Sequence, residues 1–563
     1  MTQQTLARVR EREPTPTKSC PALPQEIWWL VAQELSNRLD FSGLFLCACI
    51  NRGLASLALP LLYSIHESSP ASNAHILDIG TSVGLWRSII SSSLGETLFP
   101  YCHWVKTLRL GDLYSLLEDL GRDSVADLRA HFFSPPLQKL RILSGRRRGL
   151  NLDAIVIEVA NKVTECIRTA ADQQEKAVGL TSLEGPHLPS ANLPGWVTRL
   201  SRLTSLTVRD GSVLNSQVAQ AIRENCPAFK EVTCYWCQGS DIDVQLAGFF
   251  NGLGSNTLEA FTVNSLNMVG EETFKALSGH GLALKRLGLF SLNRAAFGSL
   301  NHLNACLALE KLILEAASDA TQLQWEGPLK DVYSQVVHWL ESCVCLEELD
   351  FQRIPQGTEM LSEVLKAPSV RLTSLHVKTD DLNPGLYESL RCQNSLLQLN
   401  VRIVDEDVLD AGEVGRCDQF VDAICHCRQL RVVESNELLT ISQLTQLTTA
   451  LPTLEVFDLN GNLIDDCFLL PLSTLSFLKS LTVFGPSDFT FDGIMEFFDN
   501  LGSDLDARHE GFQLYVANQN SEFKFSAAEE VMLADEIRIR FNGKVDINYR
   551  ADPDELHESD FSD

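Results

Sequence analysis

The residues whose types could bind a metal or carry redox chemistry are few and poorly spaced. Cys234 and Cys237 form the one C-x-x-C pair in the sequence, and they lack the second pair that a four-ligand zinc site needs. Cys425-His426-Cys427 sets two thiols beside an imidazole, but consecutive side chains on a helix point in different directions. We therefore interpret both groups as structural and predict neither a metal site nor a cofactor.

Sequence motifs of nucleotide hydrolysis, serine hydrolysis and zinc proteolysis are absent. The adjacent carboxylates Asp465-Asp466 and Glu271-Glu272 do not face each other, which favours a solvated surface over an acid–base pair. The three arginines at 146–148 are compatible with a nuclear import signal or with a solvated loop. We predict no catalytic residues and expect that the chain is not an enzyme.

The 563 residues have the composition of a folded chain, with 45% apolar and 21% charged residues. Lys and Arg number 46 against 73 Asp and Glu, which gives a formal net charge of −27. A surface this acidic repels phosphate backbones and anionic lipid headgroups. We therefore expect neither a nucleic-acid partner nor a membrane partner.

The cysteines and the hydropathy pattern bear on the compartment. The chain has 16 scattered cysteines and no apolar leader between Met1 and Ser19. We therefore expect reduced thiols and a location in the cytoplasm, the nucleus or both. The apolar stretch 43–65 contains Arg52 and Pro60, which argue against a membrane-spanning helix.

A short apolar pattern recurs from residue 105 onward. It consists of an apolar residue, two variable residues, an apolar residue, one variable residue and a third apolar residue. Successive copies begin about 24 to 29 residues apart over most of the chain, a spacing typical of repeat proteins. The copies begin at Val105, Leu137, Leu203, Phe229, Leu258, Leu284, Leu309, Leu346, Leu372, Leu396, Leu454 and Leu478, with a weaker copy at Leu430.

Each copy predicts a short strand with inward-pointing apolar side chains, followed by a turn and a returning helix. In the copy that starts at Leu454, Asn462 is expected to bond the backbone of the turn after the strand. The longer gaps at 140–203 and 309–346 predict inserted loops or unmatched repeats. Because one repeat cannot bury its own apolar face, the copies must stack into an α/β solenoid, a curved parallel sheet with outer helices.

The C-terminal segment is expected to close the solenoid. Alternating apolar residues at 512–516 predict another strand, and Ser526 with Glu529 forms a capping box that opens a helix. A final strand is predicted over 544–549. We interpret 519–550 as the cap that the open end of a solenoid requires.

Before the repeats, two apolar stripes at helical spacing predict a small all-α module. The segment 36–43 is expected to be a loop between the stripes, and the second stripe is expected to break into two helices at 51–53. Such a small core should lean on a partner or on the following domain.

This module resembles the F-box. That family opens with Leu-Pro before its first helix and ends near Leu-Ala-x-Pro-Leu-Leu-Tyr. Residues 23–27 (LPQEI) match the opening, residues 57–63 (LALPLLY) match the close, and residues 50–52 (INR) stand where the family often has Val-Ser-Arg. The link over 35–44 is longer than usual, and Gly43 stands where the family often has Asp.

The repeats resemble leucine-rich repeats. Helices that end at Cys226, at Cys343 and at Cys425 to Cys427 resemble the cysteine-containing type common in F-box proteins. An F-box followed by such repeats is a known architecture, and it implies the substrate receptor of an SCF-type cullin–RING ubiquitin ligase. The F-box would bind a Skp-family adaptor and, through it, the cullin and RING subunits. The concave face of the repeats would bind a protein substrate, whose identity the resemblance does not give.

The resemblance also implies which residues of the module serve the adaptor. They are Leu23, Pro24, Ile27, Val31, Leu35, Leu44, Cys47, Ile50, Leu57, Pro60, Leu61 and Tyr63. The implied organisation is a disordered tail (1–19), the F-box (20–66), a linker (67–100), the repeat domain (101–518), the C-terminal cap (519–550) and an acidic disordered tail (551–563).

The outward-facing strand positions form the predicted substrate site. The third, fifth and seventh residues of each copy alternate onto the open side of the sheet. Over neighbouring copies they include cations and large aromatic residues, which are enriched at interaction hot spots. These residues, predicted to bind an acidic or phosphorylated segment, are Arg209, Tyr235, Arg286, Phe290 and Lys311. The alternative is that such residues occur singly on any surface.

Two other functions remain open at this point. The chain could be a leucine-rich-repeat scaffold outside any ubiquitin ligase, with the N-terminal helices capping the solenoid. It could also regulate a small GTPase, since some Ran GTPase-activating proteins pair leucine-rich repeats with an acidic tail. Those repeats are more uniform in length than the copies here, which argues against this alternative.

Overall fold

The structure is a computed structural model, and it describes residues 24–64, 79–144, 149–173, 179–185, 188–321, 323–327, 329–404, 415–461, 463–501, 509–518 and 524–549. The chain divides into two compact units, Met1–Glu184 and Gly185–Asp563. Some predicted features fall outside the described residues: both terminal tails, Leu23, the start of the linker, the arginines at 146–148, Asn462 and the start of the cap.

The first unit is mainly helical. Its helices are α1 (Gln25–Asn37), α2 (Phe41–Ile50), α3 (Arg52–Ser64), α4 (Ile79–Ser93), α5 (Tyr101–Trp104), α6 (Leu110–Leu120), α7 (Ala126–Phe132) and α8 (Leu152–Asp172). Strand β1 (Thr107–Arg109) pairs in parallel with β2 (Ser182–Gly185), with Thr107 opposite Ser182.

Two predictions about this unit are wrong. The linker predicted over 67–100 contains α4, because Val83, Trp86 and Ile90 form a buried stripe at helical spacing. The copy at Leu137 is not a strand: Leu137–Leu140 is a 3₁₀ turn whose two leucines are buried. Strand β2 lies in the gap that the pattern left between residues 140 and 203.

The second unit alternates strands and helices. Its strands are β3 (Ser205–Asp210), β4 (Glu231–Cys237), β5 (Ala260–Asn267), β6 (Arg286–Leu292), β7 (Lys311–Ala316), β8 (Glu348–Gln352), β9 (Ser374–Thr379), β10 (Gln398–Ile403), β11 (Val432–Ser435), β12 (Val456–Asn460), β13 (Ser480–Gly485), β14 (Gln513–Asn518) and β15 (Lys544–Tyr549).

In the described part of this unit, successive strands are connected mostly through a helix. The helices are α9 (Leu193–Val197), α10 (Ser216–Asn225), α11 (Ile242–Gly252), α12 (Glu271–Ser278), α13 (Arg294–Phe297), α14 (Leu329–Ser342), α15 (Gly357–Val364), α16 (Gly385–Leu390), α17 (Arg416–His426), α18 (Ile441–Ala450), α19 (Leu469–Leu472), α20 (Phe491–Leu501) and α21 (Ala527–Phe541).

In the described part of the second unit, every strand from β3 to β15 pairs in parallel with the next strand in the chain. The register sets equivalent core residues opposite each other, so Leu206 pairs with Val232 and Val232 with Phe261. Equivalent apolar side chains therefore stack from repeat to repeat, and they are buried between the sheet and the helices. This arrangement confirms the predicted solenoid.

Cysteine thiols at helix ends join successive repeats. The thiols of Cys226, Cys343 and Cys427 donate to the carbonyls of Leu200 (3.3 Å), Cys306 (3.5 Å) and Leu390 (3.4 Å) in the preceding repeats. Buried carbonyls need hydrogen-bond partners. The thiols give these carbonyls a further partner without adding a charge to the core.

Asparagine side chains satisfy the turns after the strands. The Asn436 amide donates to the Ile403 carbonyl (2.7 Å) and accepts from the Ile403 N–H (2.9 Å). Asn518 forms the same two bonds with Ser487, at 2.9 and 3.0 Å. Both asparagines bond the backbone of the preceding repeat, whereas the contact predicted for Asn462 is with its own turn and lies outside the described residues.

The C-terminal elements match their predicted types. The Ser526 hydroxyl accepts from the Glu529 N–H, and the Glu529 carboxylate accepts from the Ser526 N–H (2.7 Å), which confirms the capping box at the start of α21. Helix α21 buries Leu533, Ile537 and Phe541, and β15 extends the sheet beside β14.

None of the helices in the described ranges combines the length and the apolar character needed to cross a bilayer. The apolar stretch 43–65 is divided between α2 and α3 at Asn51.

Gly281 lies where one repeat approaches the backbone of the next, since a Cβ there would be 2.1 Å from the Ala305 carbonyl oxygen. We expect Gly281→Ala to lower the free energy of unfolding by about 1–3 kcal/mol, because a backbone group cannot yield as a side chain does. Urea denaturation followed by circular dichroism measures the change.

Gly248 provides the matched control. It is exposed within α11, and a Cβ there would have no neighbour within 4 Å. Gly248→Ala should be neutral or stabilising by up to about 1 kcal/mol, since alanine favours helices. Equal effects of the two substitutions would contradict the steric explanation.

Candidate functional site

The turn between α1 and α2 is closed by a capping carboxylate. Leu39 adopts a left-handed conformation (φ 56°), and the Asp40 carboxylate accepts from the Gly43 N–H (2.8 Å). A Cβ at Gly43 would lie 2.6 Å from an Asp40 carboxylate oxygen, so glycine fits here better than a residue with a side chain. The loop predicted over 36–43 is too long, because this cap leaves only residues 38–40 between the helices.

Asn51 caps the start of α3, since its side chain accepts from the Leu54 N–H (2.9 Å). This cap confirms the predicted break in the second apolar stripe. The core of the three helices is small: Ala32, Leu44 and Ala58 are buried at its centre. Two of the three are alanines, whose small side chains let the helices approach closely. Many of the larger apolar side chains of the module lie on its surface instead.

Helices α1 and α2 leave most of their large apolar side chains exposed to solvent. The exposed fraction is 55% for Leu30, 58% for Phe45, 65% for Leu46 and 64% for Ile50. Residues 24–64 hold a third of the exposed large apolar side chains among all residues described. Helix α2 is apolar on every side yet buries only Leu44. A helix of this kind requires a covering partner, and exposed apolar patches mark interaction sites.

Tyr63 attaches α3 to the helices that follow it. Its ring centroid is 5.0 Å from that of Tyr101, and its hydroxyl is 2.6 Å from the Ser88 hydroxyl. Burial raises the pKa of Tyr63 to about 12. The module therefore packs against α4 and α5 through α3, in agreement with the expectation drawn from its small core. Helices α1 and α2 keep most of their large apolar side chains exposed to solvent.

The predicted adaptor residues fall into different environments. Leu44 and Tyr63 are buried, so they hold the module together and are not surface residues, contrary to their predicted role. The exposed residues of the set are Pro24, Ile27, Val31 and Ile50, and the half-buried ones are Leu35, Cys47, Leu57, Pro60 and Leu61.

Four further residues of the module extend the exposed apolar surface: Trp29, Leu30, Phe45 and Leu46. Helical spacing reveals only Leu30, because Trp29, Phe45 and Leu46 lie off the apolar stripes that the spacing defines. The available signal is the nearly unbroken apolar run 44–50, which is too apolar for a helix with one solvated face.

On the open face of the solenoid sheet, the third position of two neighbouring copies carries paired charges. The Arg286 guanidinium forms an ion pair with Glu231, reaching across Ala260 on the strand between them. The Lys311 ammonium lies 2.6 Å from the Glu348 carboxylate. Both cations are therefore partly neutralised within the sheet.

The seventh position carries aromatic and cationic groups. The Arg209 guanidinium lies 4.6 Å from the centroid of the Trp236 ring, a cation–π contact. Tyr235 is 44% exposed on the next strand, and Phe290 is half-buried on β6. The predicted substrate residues thus lie on one face of β3 to β7, and Arg209 and Tyr235 are on adjacent strands.

Carboxylates occupy the fifth position of two later strands. Burial raises the pKa of Asp350, and burial together with the nearby Glu434 raises the pKa of Asp458 to about 6. The Arg402 guanidinium lies 3.3 Å from the Asp458 carboxylate and offsets part of this effect. The open face from β8 to β12 therefore carries partly desolvated acidic groups.

The C-x-x-C pair and the Cys425-His426-Cys427 segment hold structural positions in the repeats. Cys234 and Cys237 are fully buried in the solenoid core, and their contact together with burial raises the pKa of Cys234. Cys427 is buried, whereas the ring of its neighbour His426 bonds the Asp422 carbonyl (2.7 Å). Neither group converges on a point where an ion could bind.

The carboxylate pairs considered in the sequence are also structural. Asp466 accepts from the N–H (2.9 Å) and the hydroxyl (2.7 Å) of Thr490. Glu271 and Glu272 both pair with Lys275, at 2.6 and 3.0 Å.

No protein-family model matches the sequence, and no curated protein is significantly similar to it. Three solved structures have low similarity. TLR13 bound to ssRNA13 is 13% identical (TM-score 0.27), with 64% of this chain and 61% of TLR13 covered, so the match spans less than two thirds of that protein. A chain of the yeast Rad7–Elc1 complex is 13% identical, with a TM-score of 0.36, and the match covers 68% of this chain and 88% of that chain. A leucine-rich repeat protein from Bacteroides eggerthii is 9% identical, with a TM-score of 0.24, and the match covers 85% of this chain and 88% of that chain.

The class of the protein rests on its own sequence and strand order. A repeated leucine-rich pattern, one parallel strand per repeat and sequential pairing together define a leucine-rich-repeat solenoid. Solenoids of this class present a broad surface for protein partners.

Asp458→Asn is expected to stabilise the protein at neutral pH. The pKa of Asp458 is about 6 in the folded state, above its ordinary 3.8. Folding therefore favours the neutral acid, and the charge present at pH 7.5 costs stability that returns as the pH falls through about 6. Asparagine mimics the neutral acid, so we expect a gain of about 1–3 kcal/mol at pH 7.5 and almost none at pH 4.

Urea denaturation at both pH values measures this effect. Asp546→Asn is the control, because Asp546 has the equivalent position on the last strand and is less buried. It should change stability little at either pH. A loss of stability in Asp458→Asn at pH 7.5 would show that the ion pair with Arg402 outweighs desolvation.

Proposed function

We propose that this chain is the substrate-recognition subunit of an SCF-type cullin–RING ubiquitin ligase. The N-terminal module binds a Skp-family adaptor, and through that adaptor the cullin and RING subunits. The open face of the repeat sheet binds a protein substrate. Ubiquitin transfer takes place on the other subunits, and this chain contributes no catalytic residue.

The observation that carries the proposal is the apolar surface of α1 and α2. Burying a large apolar side chain completely contributes about 1.5–3 kcal/mol. Leu30, Phe45, Leu46 and Ile50 are all more than half exposed, so covering them would supply much of the free energy that a stable complex needs. The F-box-like opening at 23–27 and close at 57–63 support a Skp-family adaptor as the covering partner.

The alternative that this module only caps the solenoid fits the surface less well. A capping repeat presents a polar outer face, because that face must stay in water. Helices α1 and α2 instead present Trp29, Leu46 and Ile50. An apolar outer face favours a separate protein partner.

The adaptor assignment is tested by replacing two exposed residues of the module. Ile27 and Ile50 are 41% and 64% exposed, so Ile27→Ala with Ile50→Ala should preserve the fold. Apolar residues at an interface centre commonly cost above about 1 kcal/mol each when truncated. We therefore expect at least a tenfold weaker affinity for a Skp-family adaptor, measured by calorimetry with the full chain.

Ile539→Ala is the matched control, since Ile539 is a 74% exposed isoleucine on α21. It should bind the adaptor as the wild type does. No binding of any Skp-family adaptor by the wild type would refute the ligase assignment and favour the scaffold alternative.

The substrate surface is tested separately by Arg209→Ala with Tyr235→Ala. These substitutions remove the cation–π contact with Trp236 and a 44% exposed aromatic side chain from adjacent strands. We expect the variant to lose a subset of the partners captured by the wild type, measured by quantitative mass spectrometry, while adaptor binding is unchanged. Lys285→Ala, which breaks a solvent-exposed ion pair with Glu310, should retain that subset. A double variant that keeps every partner would exclude this surface.

A further inference from the structure

Two thiols and an imidazole meet inside the first unit, apart from both surfaces described above. Cys102 and His103 lie on α5, and Cys166 lies on α8. The Cys102 and Cys166 sulfurs are 3.4 Å apart, and the Cys166 sulfur is 3.5 Å from His103 Nε2. The three donor atoms all lie within 4.8 Å of one another.

These separations are close to those between the ligands of one tetrahedral zinc ion. Zinc–sulfur bonds of about 2.3 Å and zinc–nitrogen bonds of about 2.0–2.1 Å place two sulfurs about 3.8 Å apart and a sulfur and a nitrogen about 3.6 Å apart. For these two pairs the observed 3.4 and 3.5 Å require only small adjustments, and the third pair, Cys102 with His103, lies within 4.8 Å. The donor set, two sulfurs and one nitrogen, is the set that zinc prefers.

The cluster has an opening to solvent. His103 and Cys166 line a surface groove of about 640 Å³, together with Lys162 and Glu165, whereas Cys102 lies beneath it and is fully buried. An ion can therefore reach the donors from the groove. The fourth coordination position would face the groove, where water or a ligand can occupy it.

We propose that Cys102, His103 and Cys166 form a zinc site with one coordination position open to the groove. Binding replaces the thiol proton of each cysteine by a bond to zinc, so two protons are released and no electron is transferred. The ion joins α5 to α8. It also steadies Tyr101, the α5 residue whose ring lies against Tyr63 of the N-terminal module.

The test measures zinc itself on the full-length chain. Protein purified with reductant and stripped with a chelator is titrated with zinc against a chromogenic chelator, and cobalt replacement is followed by visible absorption. We expect one tight site per chain and a sulfur-to-cobalt charge-transfer band. Cys166→Ser should weaken zinc binding at least about tenfold and diminish the band. Because Cys166 is only half-buried, this variant should keep its fold.

Cys345→Ser removes an exposed thiol outside the cluster and should leave zinc affinity unchanged. His103→Gln provides a second variant, which should weaken zinc binding while retaining both sulfurs. Three results would each overturn the proposal: no zinc bound by the wild type, equal affinity in wild type and Cys166→Ser, or a Cys102–Cys166 disulfide in place of the ion in protein purified with zinc.

Discussion

Main-chain hydrogen bonds between successive repeats are the interaction on which the rest of the solenoid depends. The Thr204 carbonyl accepts from the N–H groups of Lys230 and Glu231 (2.8 and 3.1 Å), and the same two-bond pattern recurs at Lys285 with Glu310 and Lys311 (2.7 and 2.9 Å). A single repeat would leave these groups unpaired at both edges, which is costly away from water. Pairing also fixes the register, and the register aligns the apolar side chains that form the core. The stacking of repeats therefore both pairs the backbone N–H and C=O groups and buries the apolar core.

This coupling explains which strands could be predicted from the sequence. Strands β3 to β13 carry alternating inward apolar residues, so the pattern identified them although the spacing between copies varies. The copy at Leu137 has the same residue types, but Leu137–Leu140 forms a 3₁₀ turn in which both leucines are buried. The apolar pattern did not identify strand β2, because Gly185 occupies the third inward position, where the other copies have an apolar side chain. The Cys102–His103–Cys166 cluster has no local signal, because a long stretch of chain separates Cys166 from the adjacent Cys102 and His103, and only the packing of α5 on α8 joins them.

The sequence predicted the helices of the N-terminal module but not which side of each helix is buried. Periodicity detects an apolar stripe, yet the side that becomes buried depends on how the helices pair. Here Ala32 and Ala58 take central positions, while Ile27 and Ile50 face solvent. Small residues at helix contacts permit close approach, and the large residues remain on the surface. Apolar spacing therefore predicted the helices and their order, and only the packing distinguished core residues such as Leu44 from surface residues.

The buried thiols between repeats give this protein a set of internal reporters. Burial raises the pKa values of Cys226, Cys306, Cys343 and Cys427 to about 12. At neutral pH these four groups are almost entirely protonated and out of reach, so alkylating reagents and oxidants first meet the exposed Cys49, Cys345, Cys392 and Cys467. A buried thiol reacts only when its repeat separates from the preceding one. The rate of labelling at each cysteine therefore records how often the solenoid opens at that point along the chain.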